Sequence, residues 1–350
     1  MKTKGAEMSI VWPAEWENQS AVQLTWPHKD TDWCDVLEEV ERCYLELSAT
    51  ITRFQPLIVV AQQKDHVNHV LSDIISSFPI RIVEIENNDT WARDHSGISV
   101  IQNEIPRLID YKFNGWGLKF PSNLDNQITS QIYQAGVFDN NVRYQNALDF
   151  VLEGGGIESD GNGTCMVTEA CLLSPNRNET YSKESIEERL SQDLGVDRFL
   201  WLTHGEILGD DTDSHIDTLA RFVSEDTIVY QSCNEQDYEC YYSLKMMEEE
   251  LRTFRTRSGE PYNLVALPWP SVKEEEGERL PATYANFLII NGAVLVPTYN
   301  DPMDQKVISI LSTLFSDREV IGIDCEVLIK QHGSLHCVTM QYPEGFISLN

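Results

Sequence analysis

The stretch FVLEGGGIESDGNGT, Phe150 to Thr164, carries the reading of the fold. Phe150-Val151-Leu152 reads as a strand that ends on Glu153 and three glycines. Such a run brings a carboxylate to a strand end where the backbone is thin enough for close approach. A structural glycine hairpin is the other reading of the same letters. The phosphate-loop patterns G-x-x-x-x-G-K-[ST] and G-x-G-x-x-G are missing, and the neighbouring acids would repel phosphate.

Outward from this strand end, short β-rich runs alternate with amphipathic segments along the whole chain. Asp35 to Phe54 sets Val36, Leu37, Val40, Tyr44, Leu47, Ile51 and Phe54 on one helical stripe, at steps of three and four. Lys64 to Phe78, Asn123 to Ala135, Ser182 to Leu194, Tyr238 to Arg257 and Met303 to Phe315 read as further helices. Strands are expected over Val22 to Trp26, Leu57 to Ala61, Ile80 to Ile85, Phe199 to Leu202 and Thr218 to Val223. Others are expected over Asn263 to Leu267, Phe287 to Ile290, Ala293 to Pro297 and Val338 to Gln341. The chain therefore reads as α/β or α+β. No low-complexity linker interrupts the chain, so residues 1–350 are expected to form a single domain, with the acidic insert SVKEEEGERLP, Ser271 to Pro281, as a solvated loop.

The chain has 350 residues and a formal charge of −30, from 56 acidic against 26 basic side chains. Such a surface repels nucleic acid and anionic membranes and draws in small cations. A cationic substrate fits it, although acidity also serves solubility alone. No signal-peptide pattern and no long apolar run is present, and a soluble, cytoplasmic protein is expected. The eight cysteines form no C-x-x-C pair and read as reduced thiols, six or seven of them small buried hydrophobes.

Three further stretches lie beside predicted strands, where loops carry function. In NNDTWARDHSG, Asn87 to Gly97, Trp91 and Asp94 offer an aromatic plate beside a carboxylate, a pairing suited to a flat cation. A turn in which Asp94 pairs with Arg93 is the alternative. In GDDTDSHIDTLARF, Gly209 to Phe222, an extended strand would turn His215 and Asp217 to one side. The acids around His215 would favour its protonated form, as an acid acting on an amine leaving group requires. A metal site is the competing reading of this stretch, but no helical histidine pair supports it. In IKQHGSLHCVTMQYPEG, Ile329 to Gly345, Cys337 could be a nucleophile, a metal ligand or a buried thiol. Together the stretches hold one thiol, one acid-flanked histidine and isolated carboxylates at Asp94, Glu153 and Asp217, which suit attack on a guanidinium.

These letters carry a resemblance. PAEWENQSAVQLTWP, TWARDHSG, FNGWGLKFPSNLDNQ, LEGGGIESDGNGT, DDTDSHIDTLARF, LPATYANFLIINGAVLVPTYNDP and KQHGSLHCVTMQ resemble blocks of the agmatine deiminases, of the guanidino-group-modifying (pentein) superfamily, in family order. The resemblance implies a five-bladed α/β propeller with pseudo-fivefold symmetry and a central active site. It implies hydrolysis of agmatine to N-carbamoylputrescine and ammonia through a covalent amidino-cysteine, in putrescine and polyamine biosynthesis, with no cofactor and no metal. Cys337 would be the nucleophile and His215 the general acid and base. Asp94 and Asp217 would grip the guanidinium, Glu153 would orient His215 and help hold the substrate, Trp91 would line the pocket, and Asp211 would be a further substrate contact. His336 is read as structural, pointing away from the site in an extended segment.

One departure stands out. The commoner family ending is Gly-Gly-Gly-Asn-Ile-His-Cys-Ile, whereas this chain has Gln331-His332-Gly333-Ser334-Leu335-His336-Cys337-Val338. Arginine deiminase, peptidylarginine deiminase and amidinotransferase use similar chemistry. Arginine's carboxylate would call for a basic residue, and Arg93 and Arg221 are the candidates, although either could pair with a nearby acid. From another class, a cation- or metal-binding scaffold with an inert Cys337 is the rival, and a homodimer is the base-rate expectation for assembly.

Overall fold

Each passage of strand, helix and strand in this chain folds into the same small sheet. The computed structural model describes residues 9–234 and 238–349. Apart from one two-stranded hairpin, the strands form five sheets that share an order. A first strand pairs antiparallel with a second, and a third returns parallel to the second after a helix, because a parallel partner cannot be reached by a tight turn. Ile98–Gln102, Ile105–Lys112 and Arg143–Val151 follow this order, with helix Ile128–Gln134 in the crossover. So do Ile157–Ser159, Thr164–Thr168 and Arg198–Leu202 around helix Lys183–Leu194.

Ala220–Ser224, Thr227–Gln231 and Asn263–Leu267 repeat it around helix Tyr238–Thr253. Leu288–Ile290, Ala293–Thr298 and Glu319–Asp324 repeat it around helix Asp304–Leu314. The fifth sheet joins the two ends of the chain. Its first strand is Thr339–Pro343, which pairs with Gln19–Thr25, and Leu57–Ala61 and Ile80–Glu84 follow in parallel.

The middle strands are buried on both faces, as at Leu57–Ala61, Thr164–Thr168 and Ala293–Pro297. That burial explains why they read as continuous apolar runs and not as alternating ones. The helices pack outside by one face. Helix Leu37–Ile51 buries Val40, Tyr44, Leu47 and Ile51 from the predicted stripe, while Val36 and Leu37 are half-buried. The expected mixture of strands and helices is present, and among the described residues no helix is long and apolar enough to cross a membrane.

Three local readings change. The helix expected to reach Phe78 ends earlier, as Lys64–Val70 and a 3-10 turn Leu71–Asp73. Pro79 disfavours helix at the residue before it, and the backbone amides of Ser77 and Phe78 instead donate to the Thr52 carbonyl at 3.0 Å. The insert expected as a loop is a hairpin, Lys273–Glu275 with Glu278–Leu280, because Glu276 and Gly277 both take the positive φ that a tight hairpin turn requires. Finally, the strand expected from Thr218 begins at Ala220, after a 3-10 turn over Ile216–Thr218. His215 and Asp217 therefore do not alternate along an extended strand.

One buried acid fixes the loop ahead of Trp91. Asp125 Oδ1 accepts from the backbone amides of Asn88 (2.7 Å) and Asp89 (3.2 Å). Burial pushes its carboxyl up to about 8 despite those bonds. The folded protein then holds a proton that the unfolded chain loses near its ordinary range, so stability falls as pH rises between those two values. Asp125→Asn keeps an acceptor without the titration. Its Tm advantage over wild type is expected to widen from pH 5 to pH 8 and then level off; a pH-independent difference in thermal melts would contradict this.

Candidate active site

The polar side chains of interest lie at equivalent places in the five sheets. Asp94, Glu153, Asp217, Asn286 and Cys337 each sit a few residues ahead of the first strand of a different sheet. Asp94 is on a single helical turn, Ala92–His95, that docks through the Arg93 amide on the Cys337 carbonyl (3.0 Å). Glu153 precedes the turn Gly154–Gly156, and His215 stands at the start of the 3-10 turn Ile216–Thr218 that holds Asp217. Cys337 lies in a turn ahead of Thr339, held by the Asn286 amide. All five, and His215, are buried.

Gly155 is where three of these groups meet. A Cβ built on it would lie 2.6 Å from His215 Nδ1, 2.7 Å from Asp94 Oδ1 and 3.2 Å from Asp217 Oδ2. Its amide donates to Asp94 Oδ1 at 3.0 Å, and Trp116 Nε1 donates to Asp94 Oδ2 at 3.0 Å. Asp94 does not pair with Arg93, whose guanidinium faces Glu15 instead. His215 Nδ1 stands 3.5 Å from Asp94 Oδ1, and Nε2 stands 3.8 Å from Glu153 Oε2. Arg177, itself buried, donates from Nε to Glu153 Oε2 at 2.7 Å. The Cys337 thiol is 3.4 Å from Asn286 Oδ1 and 3.8 Å from Asp217 Oδ2.

Above Cys337 a narrow cleft with a cavity volume of about 30 Å³ opens toward solvent. Trp91, Trp116 and Phe120 give it aromatic walls, and Asp94 and Cys337 form its floor. Asp32, Asp89 and Asp211 stand around its outer part, and no lysine or arginine is among the described residues that line it. Gly333 presses on Trp91, since a Cβ there would lie 2.1 Å from the indole Cζ3. The sequence therefore needs glycine at 333 for the plate to keep its place.

Burial and charge together set the protonation states. Burial pushes the Asp94 carboxyl up, to about 6, although His215 opposes the rise. Burial alone would lower His215, but Asp94, Cys171 and Glu153 reverse this and hold it well above the usual histidine range. Burial would raise Glu153, and Arg177 and His215 bring it below its usual value. The Cys337 thiol is pushed well up by burial and by the charges of Asp217 and Asp94. In the free protein the site thus pairs a neutral thiol with a protonated histidine.

Beneath the site lies a buried ionic cluster. His336 faces Asp217 Oδ2 through Nδ1 and Glu15 Oε2 through Nε2, each at 2.7 Å. Arg221 Nη2 stands 3.0 Å from Glu15 Oε2, and its Nε stands 3.0 Å from Glu158 Oε2. His336 is therefore not turned away from the site: it occupies a turn, not an extended segment, and it touches Asp217. Glu15, Trp116, Arg177 and Asn286 were likewise not singled out in the sequence. Three of them lie inside matching blocks (PAEW, FNGWG, TYANF), but nothing in their spacing marks them. Of the two readings left open for Arg93 and Arg221, the structure shows the pairing with acids.

One group of possible metal ligands occurs among the described residues, Glu153, Cys171 and His215, with donor atoms within 4.8 Å of one another. The Arg177 guanidinium bonded to Glu153 opposes a cation there. Six of the eight cysteines are buried, Cys34 is exposed and Cys233 is intermediate.

Known proteins share this frame. The family described as Porphyromonas-type peptidyl-arginine deiminase matches residues 11–343. An agmatine deiminase of Pseudomonas syringae pv. tomato is 33% identical, covering 95% of each chain. A Porphyromonas gingivalis structure, solved under the provisional name arginine deiminase, has TM-score 0.92 and 50% identity and covers 97% of this chain and 100% of that one. A Cys-to-Ser variant of C. jejuni agmatine deiminase with substrate bound has TM-score 0.90 and 34% identity, covering 99% of each chain.

Two substitutions probe this packing. Gly155→Ala is expected to abolish turnover, because its methyl group occupies the space between His215, Asp94 and Asp217. His336→Ala leaves two buried carboxylates without their shared partner, a change that costs about 3–5 kcal/mol when a buried pair is broken. A fall in Tm of several degrees together with a loss of turnover is expected, and an unchanged melt would show that the bridge carries no stability.

Proposed function

The chain belongs to the Porphyromonas-type peptidyl-arginine deiminase family, and from that premise we propose that it is an agmatine deiminase, a hydrolase that cleaves a C–N bond of a linear amidine. The observation that carries the choice of substrate is the charge of the pocket. Its floor holds Asp94, with Asp217 beside Cys337, and its outer part holds Asp32, Asp89 and Asp211 with no lining arginine or lysine. Lys119, nearby, is taken up by the Asp211 carbonyl at 2.6 Å and the Asp213 carboxylate at 2.7 Å. A guanidinium at one end and an ammonium at the other satisfy both sets of acids. The α-carboxylate of arginine would meet only like charge, which costs several kcal/mol of discrimination. Free arginine is therefore disfavoured as a substrate.

In this reading Cys337 is the nucleophile. The guanidinium binds flat against Trp91 and between Asp94 and Asp217, and its charge offsets the two carboxylates that hold the thiol up. The Cys337 thiol loses its proton to solvent, the thiolate adds to the guanidinium carbon, and the neutral tetrahedral adduct keeps its amino groups hydrogen-bonded to the two acids. His215 gives its proton to the departing ammonia, leaving an amidino-cysteine. Neutral His215 then takes a proton from water as it attacks the same carbon, and collapse returns the thiol and releases N-carbamoylputrescine. Glu153, with Arg177 behind it, orients His215. Asp211 and Asp89, half-buried and each pushed up to about 6 by burial, receive the ammonium. No cofactor enters, and the product would feed putrescine and polyamine synthesis.

We read the five sheets as blades around a pseudo-fivefold axis within one catalytic domain. Their shared strand order supports this, as does the pairing of the C-terminal strand with Gln19–Thr25. Eight free cysteines suit the cytoplasm.

Cys337→Ala is expected to bind agmatine, seen as a rise in Tm, without releasing ammonia; turnover by this variant would remove Cys337 from the mechanism. A parallel assay is expected to yield N-carbamoylputrescine from agmatine and no citrulline from arginine. The raised thiol gives a third test. Iodoacetamide should label Cys337 slowly at pH 7 and faster as pH rises, whereas a cationic haloacetamidine should react roughly tenfold faster at pH 7 because it brings its own charge. Equal rates would refute activation by the bound cation.

A further inference from the structure

The turn that departs from the commoner family ending carries two side chains where that ending has glycine, Gln331 and His332. His332 has φ +65°, a backbone region that glycine occupies freely and that histidine, with asparagine and aspartate, tolerates better than most residues. Both side chains line the pocket and reach across its rim. His332 Nδ1 donates to the Gly209 carbonyl at 2.8 Å, and Gln331 Nε2 donates to the Asp32 carbonyl at 3.0 Å. A carbonyl can only accept, so the His332 ring carries its proton on Nδ1.

The walls joined in this way are anchored separately. On the Asp32 side the neighbouring Trp33 donates from Nε1 to Thr90 Oγ1 at 3.1 Å. On the other, Lys119 holds the Asp211 carbonyl at 2.6 Å and Arg177 holds the Thr212 carbonyl at 2.8 Å. Gln331 and His332 thus tie the turn to the two segments that present Asp32 and Asp211.

We propose that Gln331 and His332 form a rim clasp that fixes the distance between the guanidinium site and the outer acids, making these residues determinants of substrate length. The proposal rests on the reading of the pocket as a site for a guanidinoalkyl ammonium ion. With both walls tied, a four-carbon chain places its ammonium at Asp211 and Asp89, and a longer chain must fold or break the clasp. With glycine at 331 and 332 the rim has no side chain to bridge it, and the walls can part to admit a longer chain.

The test compares ammonia release from agmatine and from its homologues with one and two more methylenes, in wild type, His332→Gly and Gln331→Gly/His332→Gly. Glycine suits φ +65°, so the variants should fold, and a melt checks that they do. For His332→Gly, kcat on agmatine is expected within about twofold of wild type and KM about three- to tenfold higher, the loss of one hydrogen bond. The kcat/KM of the longer homologues relative to agmatine should rise by a similar factor, and further in the double variant. An unchanged ratio, or an equal loss of kcat on all three substrates, overturns the clasp. If wild type itself releases no ammonia from agmatine, the reading of the pocket fails first, and that result is distinct from a failure of the clasp.

Discussion

An imidazole held between two buried carboxylates is the constraint on which the rest of this protein depends. His336 spans from Asp217 to Glu15 with 2.7 Å contacts at both nitrogens, and none of the three side chains is more than 7% exposed. Buried carboxylates without partners would be expensive, so the segments that supply partners have to meet. Glu15 precedes the strand Gln19–Thr25, Arg93 comes from the helical turn before Ile98, and Glu158 from Ile157–Ser159. Arg221 lies in Ala220–Ser224, and the Ile289 amide donates to Glu15 Oε1 at 2.7 Å. Every one of the five sheets thereby contributes a group to one ionic centre.

The sign of the charge shifts shows what that centre does for stability. Burial would push Glu15 up, but Arg221 and His336 carry it well below its ordinary value; Asp217 is lowered in the same way, chiefly by His336. Both therefore favour the folded state above the ordinary carboxylate range, a contribution lost as pH falls through their depressed values. Arg221 cannot serve two acids equally. Glu158, also bonded to it, remains pushed up to about 7 by burial and by the charge of Glu15. One layer above, Asp94 has His215 at 3.5 Å and Cys337 has two carboxylates for neighbours, and burial still holds both in the protonated direction. Glu15 and Asp217 are thus held ionised below, whereas Asp94 and Cys337 keep an unmet demand for positive charge on the side of the pocket.

Much of this arrangement was legible in the letters. The stripe along Leu37–Ile51 and the apolar runs at Leu57–Ala61 and Asn263–Leu267 follow from spacing, and the polar, glycine-marked strand ends drew attention to Asp94, Glu153, His215, Asp217 and Cys337. What spacing could not reach were partners set by convergence of distant segments. Arg177 finds Glu153 from a one-turn helix, and Trp116 finds Asp94 through a φ of 54° between two glycines. Neither position has a period or a motif of its own. His336 shows the limit most directly: an alternation argument holds only for extended backbone, and the chain there is a turn. The same reason undid the expected alternation of His215 and Asp217.

Repetition of one unit also accounts for how a reactive site can arise at a common point. A strand order repeated five times delivers five loop ends to comparable places, and each end is free to hold a different side chain without altering its sheet. Here those places hold three carboxylates, an amide and a thiol, at Asp94, Glu153, Asp217, Asn286 and Cys337. No local interaction within a unit would favour such a set, since three buried acids repel one another and raise the thiol. The set is tolerable only because Arg177 and His336 contact two of the acids from behind at 2.7 Å, leaving Asp94 as the carboxylate pushed up. In the proposed reading, a positively charged planar ligand between Asp94 and Asp217 would remove the remaining conflict, so the binding that selects the ligand would also lower the barrier to ionising the sulfur beside it.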